Sequence, residues 1–484
     1  MSVAAPDLVQ MDGAALSLAI QARKASCAEV MSAYLDHIER VNPKVNAIVA
    51  LQDRDELMAQ ARLRDDELAR GHSLGPLHGL PHAVKDAELV RGIRSTFGSP
   101  LFKDFVPRTD SIMVERLRQA GAIIIGKTNI PEFGLGSHTY NPVYGVTRNA
   151  YEPSCSAGGS SGGAAVALAL RMQPYADGSD YGGSLRNPSG WNNVFGLRPS
   201  IGRIPSDARD SWLPSVSVLG PMARTVTDLA LLLSVQAGYD DRTPLSMDAD
   251  GARFRASLEA DLKGKRIAWG ADFGGHTPCE GGVLELCRGA LRVFESLGCI
   301  VEDACPQYDL DALWRATVSL RGWQQGAILL PFYSDPAQRA LLKPEALFEI
   351  ETGLKLSAYD ISAASVVRSE WYQAMRRLFT RYDYFVLPTA QTFPFPIEWS
   401  WPREIAGQRM STYHEWMKAA LIVSMSGCPV LAAPAGFNSR GLPMGIQIVA
   451  PMRREFACLQ LAYAYETASG WTRGHEPPLL VSGP

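Results

Sequence analysis

At 484 residues, 46% apolar and 20% charged, the chain has the profile of a globular protein, long enough for one large domain or two to three ordinary ones. A formal charge of -3, from 47 basic against 50 acidic side chains, gives no electrostatic footprint for nucleic acid or an anionic membrane. Eight cysteines without a Cys-x-x-Cys, no leader pattern over Met1 to Gln10, and apolar runs short of the ~20 residues that span a bilayer predict a reduced, cytoplasmic protein.

Residues 14–70 read as helices that pack on a core. Ser26 and Glu29 form a capping box ahead of Val30, Tyr34, Ile38 and Val41 at helical spacing, and Asn42-Pro43 ends the run. A second helix starts near Asp53, carries Leu57, Ala61 and Leu68, and stops at Gly71; its alternating charges mark a solvated face. After the loop Gly75–Pro81, the short apolar strand His82-Ala83-Val84 ends on Lys85-Asp86. A lysine closing a buried strand needs a partner, whereas one at a surface end snorkels to water, and both readings stand here. Asp110 is placed to cap a helix through Ile112, Leu117 and Ala120, and Ala122–Gly126 is an apolar strand of the kind a doubly covered sheet requires. Strand, helix, strand in that order predicts an α/β architecture, and residues 131–153 read as a long ordered loop.

Two glycine-flanked serine clusters follow: Gly158-Gly159-Ser160-Ser161-Gly162-Gly163, and Asp180-Tyr181-Gly182-Gly183-Ser184-Leu185-Arg186, with the apolar helix Ala164–Leu170 between them. Glycine lets backbone N–H groups approach a ligand and converge on an anion. Flexible linkers are longer and not divided by a core helix. A phosphate cradle would need a Lys-Ser/Thr ending or Gly-x-Gly-x-x-Gly spacing, and neither is present. An oxyanion hole beside an activated serine is the remaining reading, and it requires a base.

Asn187-Pro188 and Gly196–Pro199 read as turn-rich surface, and a helix spans 225–238 with Asp228 as its cap. Residues 240–252 are a polar candidate linker. A second α/β pattern then opens: strand 266–269, helix 283–297, strand 299–302 and long helices at 309–330 and 357–380. An apolar strand at 384–389, a helix at 412–424, strands at 430–433 and 444–449 and a helix at 454–468 complete the chain, which carries no internal repeat.

Gly79-Leu80-Pro81 with Lys85-Asp86, the Gly-Gly-Ser-Ser-Gly-Gly block and Asp180-x-Gly-Gly-Ser184-x-Arg186 together resemble the amidase signature family. Gly126-Lys127-Thr128-Asn129, Pro131-Glu132, Gly196-Leu197-Arg198-Pro199 and Pro443–Gln447 extend the likeness over residues 14–470. The resemblance implies an α/β fold with a large mixed central sheet, helices on both faces and an inserted smaller α/β lobe. Its segments would be an N-terminal helical part at 1–70, the signature core at 71–240, the lobe at 264–380 and completing strands and helix at 381–484. It implies Ser184 as nucleophile, Ser160 as a bridging serine on a cis peptide and Lys85 as base. Such a lysine must fall roughly three units below ~10.4 to act as a neutral amine.

By the same likeness the N–H groups of Tyr181, Gly182, Gly183 and Ser184 form the oxyanion hole, and Gly134 lines the pocket with its backbone. Asp180 and Arg186 hold the glycine turn, and Ser161 orients Ser160. The implied reaction is hydrolysis of carboxylic amides, with esters or carbamates as side substrates, needing no metal or organic cofactor and no partner beyond a small amide and water; a homodimer is compatible. The alternatives are the glutaminase component of a tRNA-dependent amidotransferase, and an inactive binding protein on the same fold. Tyr181 is peculiar to this chain, since a small or aliphatic residue is usual there, and Tyr140, Tyr144, Trp191, Phe195 and Trp323 are candidates for the same pocket wall. His82 and His138 read as structural histidines and Cys155 as a buried inert thiol.

Overall fold

The computed structural model describes residues 8–207, 210–212 and 216–481; Met1–Asp7, where most of the leader reading falls, lie outside the described residues. The chain starts as three helices, α1 (Gly13–Gln21), α2 (Cys27–Val41) and α3 (Arg54–Ala69). The capping box of α2 is formed: Ser26 Oγ accepts from Glu29 N at 3.0 Å, and Glu29 Oε2 accepts from Ser26 N at 2.8 Å. These helices cover a small sheet in which β1 (Ile48–Val49) pairs antiparallel and β2 (Pro81–Lys85) parallel with β3 (Ile123–Thr128). Every residue of β2 and β3 is buried, His82, Lys85 and Lys127 included, as in strands covered on both faces. The helix α4 (Ile112–Gln119) joins them, and Ser111, not Asp110, is its N-cap; the Asp110 carboxylate accepts from Arg91 N at 2.7 Å instead.

Beside this small sheet stands one of eight strands. After α5 (Gly162–Ala169) come β4 (Tyr175–Asp180), α6 (Arg186–Trp191), β5 (Phe195–Arg198), β6 (Val218–Ala223) and α7 (Val226–Gln236). Then follow β7 (Arg266–Trp269), α8 (Val283–Ser296), β8 (Ile300–Asp303), α9 (Leu310–Tyr333), α10 (Pro344–Gly353), α11 (Ala358–Leu378) and β9 (Tyr384–Pro388). The last elements used below are α12 (Lys418–Met425), β10 (Val430–Phe437), β11 (Pro443–Val449) and α13 (Glu455–Ser469). The sheet order is β8-β7-β9-β11-β10-β5-β6-β4, parallel from β8 to β9 and antiparallel from there to β4. The expected mixed sheet is therefore present, and the strands predicted for 264–380 extend its edge.

The segments read as turn-rich surface at 187–188 and 196–199 are the opposite: α6 and β5, the latter a strand of the large sheet, are wholly buried. The glycine of α6 reflects crowding, since a Cβ on Gly190 would lie 2.3 Å from Thr389 Oγ1 and 3.0 Å from Gly445 N. Asp228 is also not a cap. Thr225 is the N-cap of α7, and buried Asp228 accepts from Gly13 N and Ala14 N, at 2.8 and 2.7 Å, tying α1 to the core. All eight cysteines are unpaired, and among the described residues no helix is long and apolar enough to cross a membrane.

Candidate active site

Strand β2 delivers Lys85 to the seam between the two sheets, where β4 packs beside it. The Lys85 side chain is fully buried, and its Nζ lies 2.8 Å from Ser160 Oγ, 2.7 Å from Ser161 Oγ, 2.9 Å from Ser179 Oγ and 3.3 Å from Ser179 O. Among the described residues no carboxylate touches it. Burial therefore dominates and pushes the amine down to about 7, against the upward pull of Asp177, Asp180 and Glu88. The four oxygens suit both protonation states. An ammonium can donate three times, and a neutral amine can donate twice while taking a proton from a hydroxyl. Ser160 follows a cis Gly159–Ser160 peptide, and a Cβ at Gly134 would stand 3.4 Å from Ser160 Oγ, so glycine there leaves the serine accessible.

The second serine cluster is a turn between β4 and α6, and half-buried Ser184 sits on it. Asp180 organises the turn from inside: its carboxylate accepts from Gly183 N at 2.8 Å and Leu185 N at 3.0 Å. Arg186 clasps the same carboxylate with Nε at 2.9 Å and a terminal nitrogen at 2.8 Å, while Arg198 donates to the Asp180 carbonyl. Burial alone would raise the Asp180 carboxyl, but Arg186 and Arg198 outweigh it and hold the group well below the usual carboxylate range. Arg186 also reaches Ala420 O at 3.0 Å and the side chain of Gln447, which bolts the turn to α12 and to β11.

This arrangement corrects one expectation. The Gly183 N–H is taken by Asp180, whereas the N–H groups of Tyr181, Gly182 and Ser184 have no acceptor among the described residues. Gly183 is needed for its conformation, at φ +112° with Asn187 Oδ1 2.8 Å from where a Cβ would stand. Ser161 N donates to Ser184 O at 3.2 Å, so the two serine clusters are joined through the backbone. No hydrogen bond joins the Ser160 and Ser184 hydroxyls among the described residues.

Tyr181 is built into the wall beside the turn. Its hydroxyl donates to Gln324 Oε1 at 3.0 Å, and the Arg321 guanidinium lies 4.7 Å above its ring. Arg321 is held by Glu349 at 2.7 Å, which also takes His414 at 2.8 Å and the Tyr413 hydroxyl. Burial would raise Glu349, yet Arg321 and His414 bring it down to about 2. A narrow cleft next to this cluster is lined by Ser137, Tyr140, Lys343, Trp401, Tyr413 and Trp416, and Ser137 Oγ donates to Gly159 O at 2.6 Å. Of the other aromatic candidates, Trp191 and Phe195 are core, Trp191 stacking on Trp416; Tyr144 lies under Arg94, and Trp323 packs against the core from α9.

His138 is buried between Ser156 Oγ and Ile397 O, and burial takes it down to about 4. His82 is buried against Asp177 at 2.9 Å. Cys155 is only half-buried, and burial pushes its thiol up. Sequence reasoning did not single out Ser179, Asp177, Arg321 or Glu349. Ser179 stands one residue from a motif already in view; Arg321 and Glu349 lie on helices whose sequence carries no motif. Arg198 and Gln447 fall inside recognised motifs, but their partners at the Ser184 turn, Asp180 and Arg186, could be assigned to them only from the fold.

The family model named Amidase matches residues 29–459. An acylamidase from Rhodococcus erythropolis is 33% identical over 447 residues, covering 92% of each chain. The A subunit of the glutamyl-tRNA(Gln) amidotransferase of Thermosynechococcus vestitus is 33% identical over 472 residues, covering 93% of this chain and 96% of that one. Among solved structures, a bacterial aryl acylamidase of the amidase signature enzymes superposes with a TM-score of 0.90 at 28% identity, covering 98% of this chain and 99% of that one. The chain belongs to the amidase family, and its activity is the hydrolysis of carboxylic amide C–N bonds.

Proposed function

We propose that this hydrolysis runs through an acyl-enzyme on Ser184, with Lys85 as general base acting through Ser160. The observation that carries the reading is a buried amine 2.8 Å from Ser160 Oγ with no carboxylate in contact, an arrangement in which a lysine can be neutral near pH 7. Substrate binding brings the Ser184 and Ser160 hydroxyls into hydrogen bond, since such contacts tighten in the bound complex. Ser160 passes its proton to Lys85 and takes that of Ser184, whose oxygen attacks the amide carbon. The N–H groups of Tyr181, Gly182 and Ser184 receive the developing oxyanion. The relay then runs backwards to protonate the departing nitrogen, and water repeats both steps on the acyl-enzyme to release the acid.

The likeness to an acylamidase and to an aryl acylamidase supports acyl anilides as substrates. Eight unpaired thiols support a cytoplasmic setting. A second reading, glutamine hydrolysis for a tRNA-dependent amidotransferase, is favoured by the identity to the amidotransferase chain. Comparing rates on an acyl anilide and on glutamine separates the two.

A fluorophosphonate probe is expected to label Ser184 stoichiometrically and to leave Ser184→Ala untouched, read by mass spectrometry of the modified peptide. Failure to label under conditions that modify a control serine hydrolase would remove the mechanism. The base assignment makes a further prediction: the rate falls on the acid side of about pH 7, where Lys85 takes up its proton. A flat kcat/KM from about pH 5 to 9 would contradict a neutral amine.

A further inference from the structure

Three carboxylates, Asp177, Asp180 and Glu88, act on the Lys85 amine. On its own turn, Asp86 faces Lys127 of β3 at 3.9 Å and is further held by Thr96, while burial lifts Glu88 to about 7. On β4, Asp180 is enclosed by Arg186 and Arg198. Asp177, also on β4, forms no ion pair with an arginine or lysine among the described residues, although Lys127 feels its charge. Its carboxylate accepts from His82 Nε2 at 2.9 Å and, with both oxygens at 3.2 Å, from the backbone N–H of Lys85 itself. His82 and Asp177 are fully buried, and the His82 ring packs 5.8 Å from Tyr175 with its Nδ1 unpartnered among the described residues. Next to it, Gln173 Oε1 accepts from Ala83 N at 2.8 Å, so β2 is held from this side by two side chains.

We propose that the His82–Asp177 pair is a positioning device for the base: Asp177 fixes the backbone of Lys85 and places a negative charge beside it, and His82 aims that carboxylate. The geometry accounts for two features the hydrolytic cycle leaves unexplained. A histidine is buried on the strand that carries the base, and a carboxylate is buried three residues before the Asp180 that organises the nucleophile turn. The physical logic is a balance. Burial drives the Lys85 amine toward neutrality, and the Asp177 carboxylate bonded to the Lys85 backbone N–H restores part of its affinity for a proton, leaving it able to accept a proton from Ser160 and to return it. The pair reacts with nothing itself and acts only through Lys85.

The inference rests on Lys85 being the base, and the pH dependence of hydrolysis separates the two ideas. Asp177→Asn keeps an oxygen to accept from Lys85 N but removes the charge, so the ammonium form of Lys85 loses stabilisation. Its acid limb in kcat/KM is expected to move down by about one pH unit, with KM unchanged and the alkaline plateau kept within several-fold. His82→Phe preserves a ring against Tyr175 but gives Asp177 no N–H. The carboxylate is then no longer aimed at the backbone of Lys85, and the limb moves the same way by less; this variant decides if Asp177→Asn fails to fold. A folded variant whose limb stays at the wild-type pH, or that loses rate equally at every pH, would overturn the proposal and leave the base assignment standing. A wild-type profile with no acid limb would instead remove the base assignment.

Discussion

Lys85→Ala is expected to lower kcat/KM for amide hydrolysis by about 10³-fold or more, the scale of general-base loss, while the protein keeps its fold. Without the amine, no group in contact with Ser160 Oγ can take its proton, because the remaining neighbours of the site are the hydroxyls and carbonyl of Ser161 and Ser179. The fold should survive because the deleted group is one whose charged form burial disfavours, and the serines it leaves can bond to one another or to water. Lys85→Arg should be no better, since a guanidinium stays charged across the accessible pH range. Steady-state rates on an acyl anilide, with thermal unfolding to verify the fold, measure this. A folded Lys85→Ala with near wild-type turnover would sink the base assignment.

Asp180→Ala is expected to cost about 3–5 kcal/mol of stability, the largest stability effect anticipated from one side chain at the site. The substitution strands Arg186 and Arg198, both fully buried, without the carboxylate they share, and it frees the N–H groups of Gly183 and Leu185 that fix the nucleophile turn. The midpoint of denaturant unfolding reports it. An unchanged midpoint would mean that Asp180 does not hold the turn. Any soluble Asp180→Ala should also lose activity, because Ser184 depends on the geometry of the residues before it.

The sequence was legible where local chemistry sets local structure. Ser26 and Glu29 close a capping box because both partners lie within one turn, and Ile123–Ile125 at the start of β3 are buried as an apolar run predicts. The site was legible to the extent that a motif holds it: Lys85, Ser160 and Ser161 meet, and Gly134 lies against Ser160. What failed shares one physical cause. Glycine, asparagine and proline between 187 and 199 signal turns in isolation, but here they allow backbones to approach in a crowded interior, with Asn192 Nδ2 donating to Ala157 O and to Pro188 O, each at 2.8 Å. The Gly183 N–H pointed to the oxyanion in sequence and points to Asp180 in space, because a carboxylate three residues back reaches it first. Arg321 and Glu349, in the wall beside Tyr181, come from helices with no motif, so only the fold could associate them with the nucleophile.

The order of strands in the large sheet bears on how the chain is made. Strand β11, formed by Pro443–Val449, lies between β9 and β10, and the β11–β10 pair has three strands on either side of it. A ribosome therefore has to deliver the chain through Val449 before the two halves of the sheet can be joined, and Gln447, which receives Arg186 from behind the Ser184 turn, arrives in that same segment. Nascent chains that already contain Lys85, Ser160 and Ser184 but end before it lack this closing piece and expose unpaired strand edges.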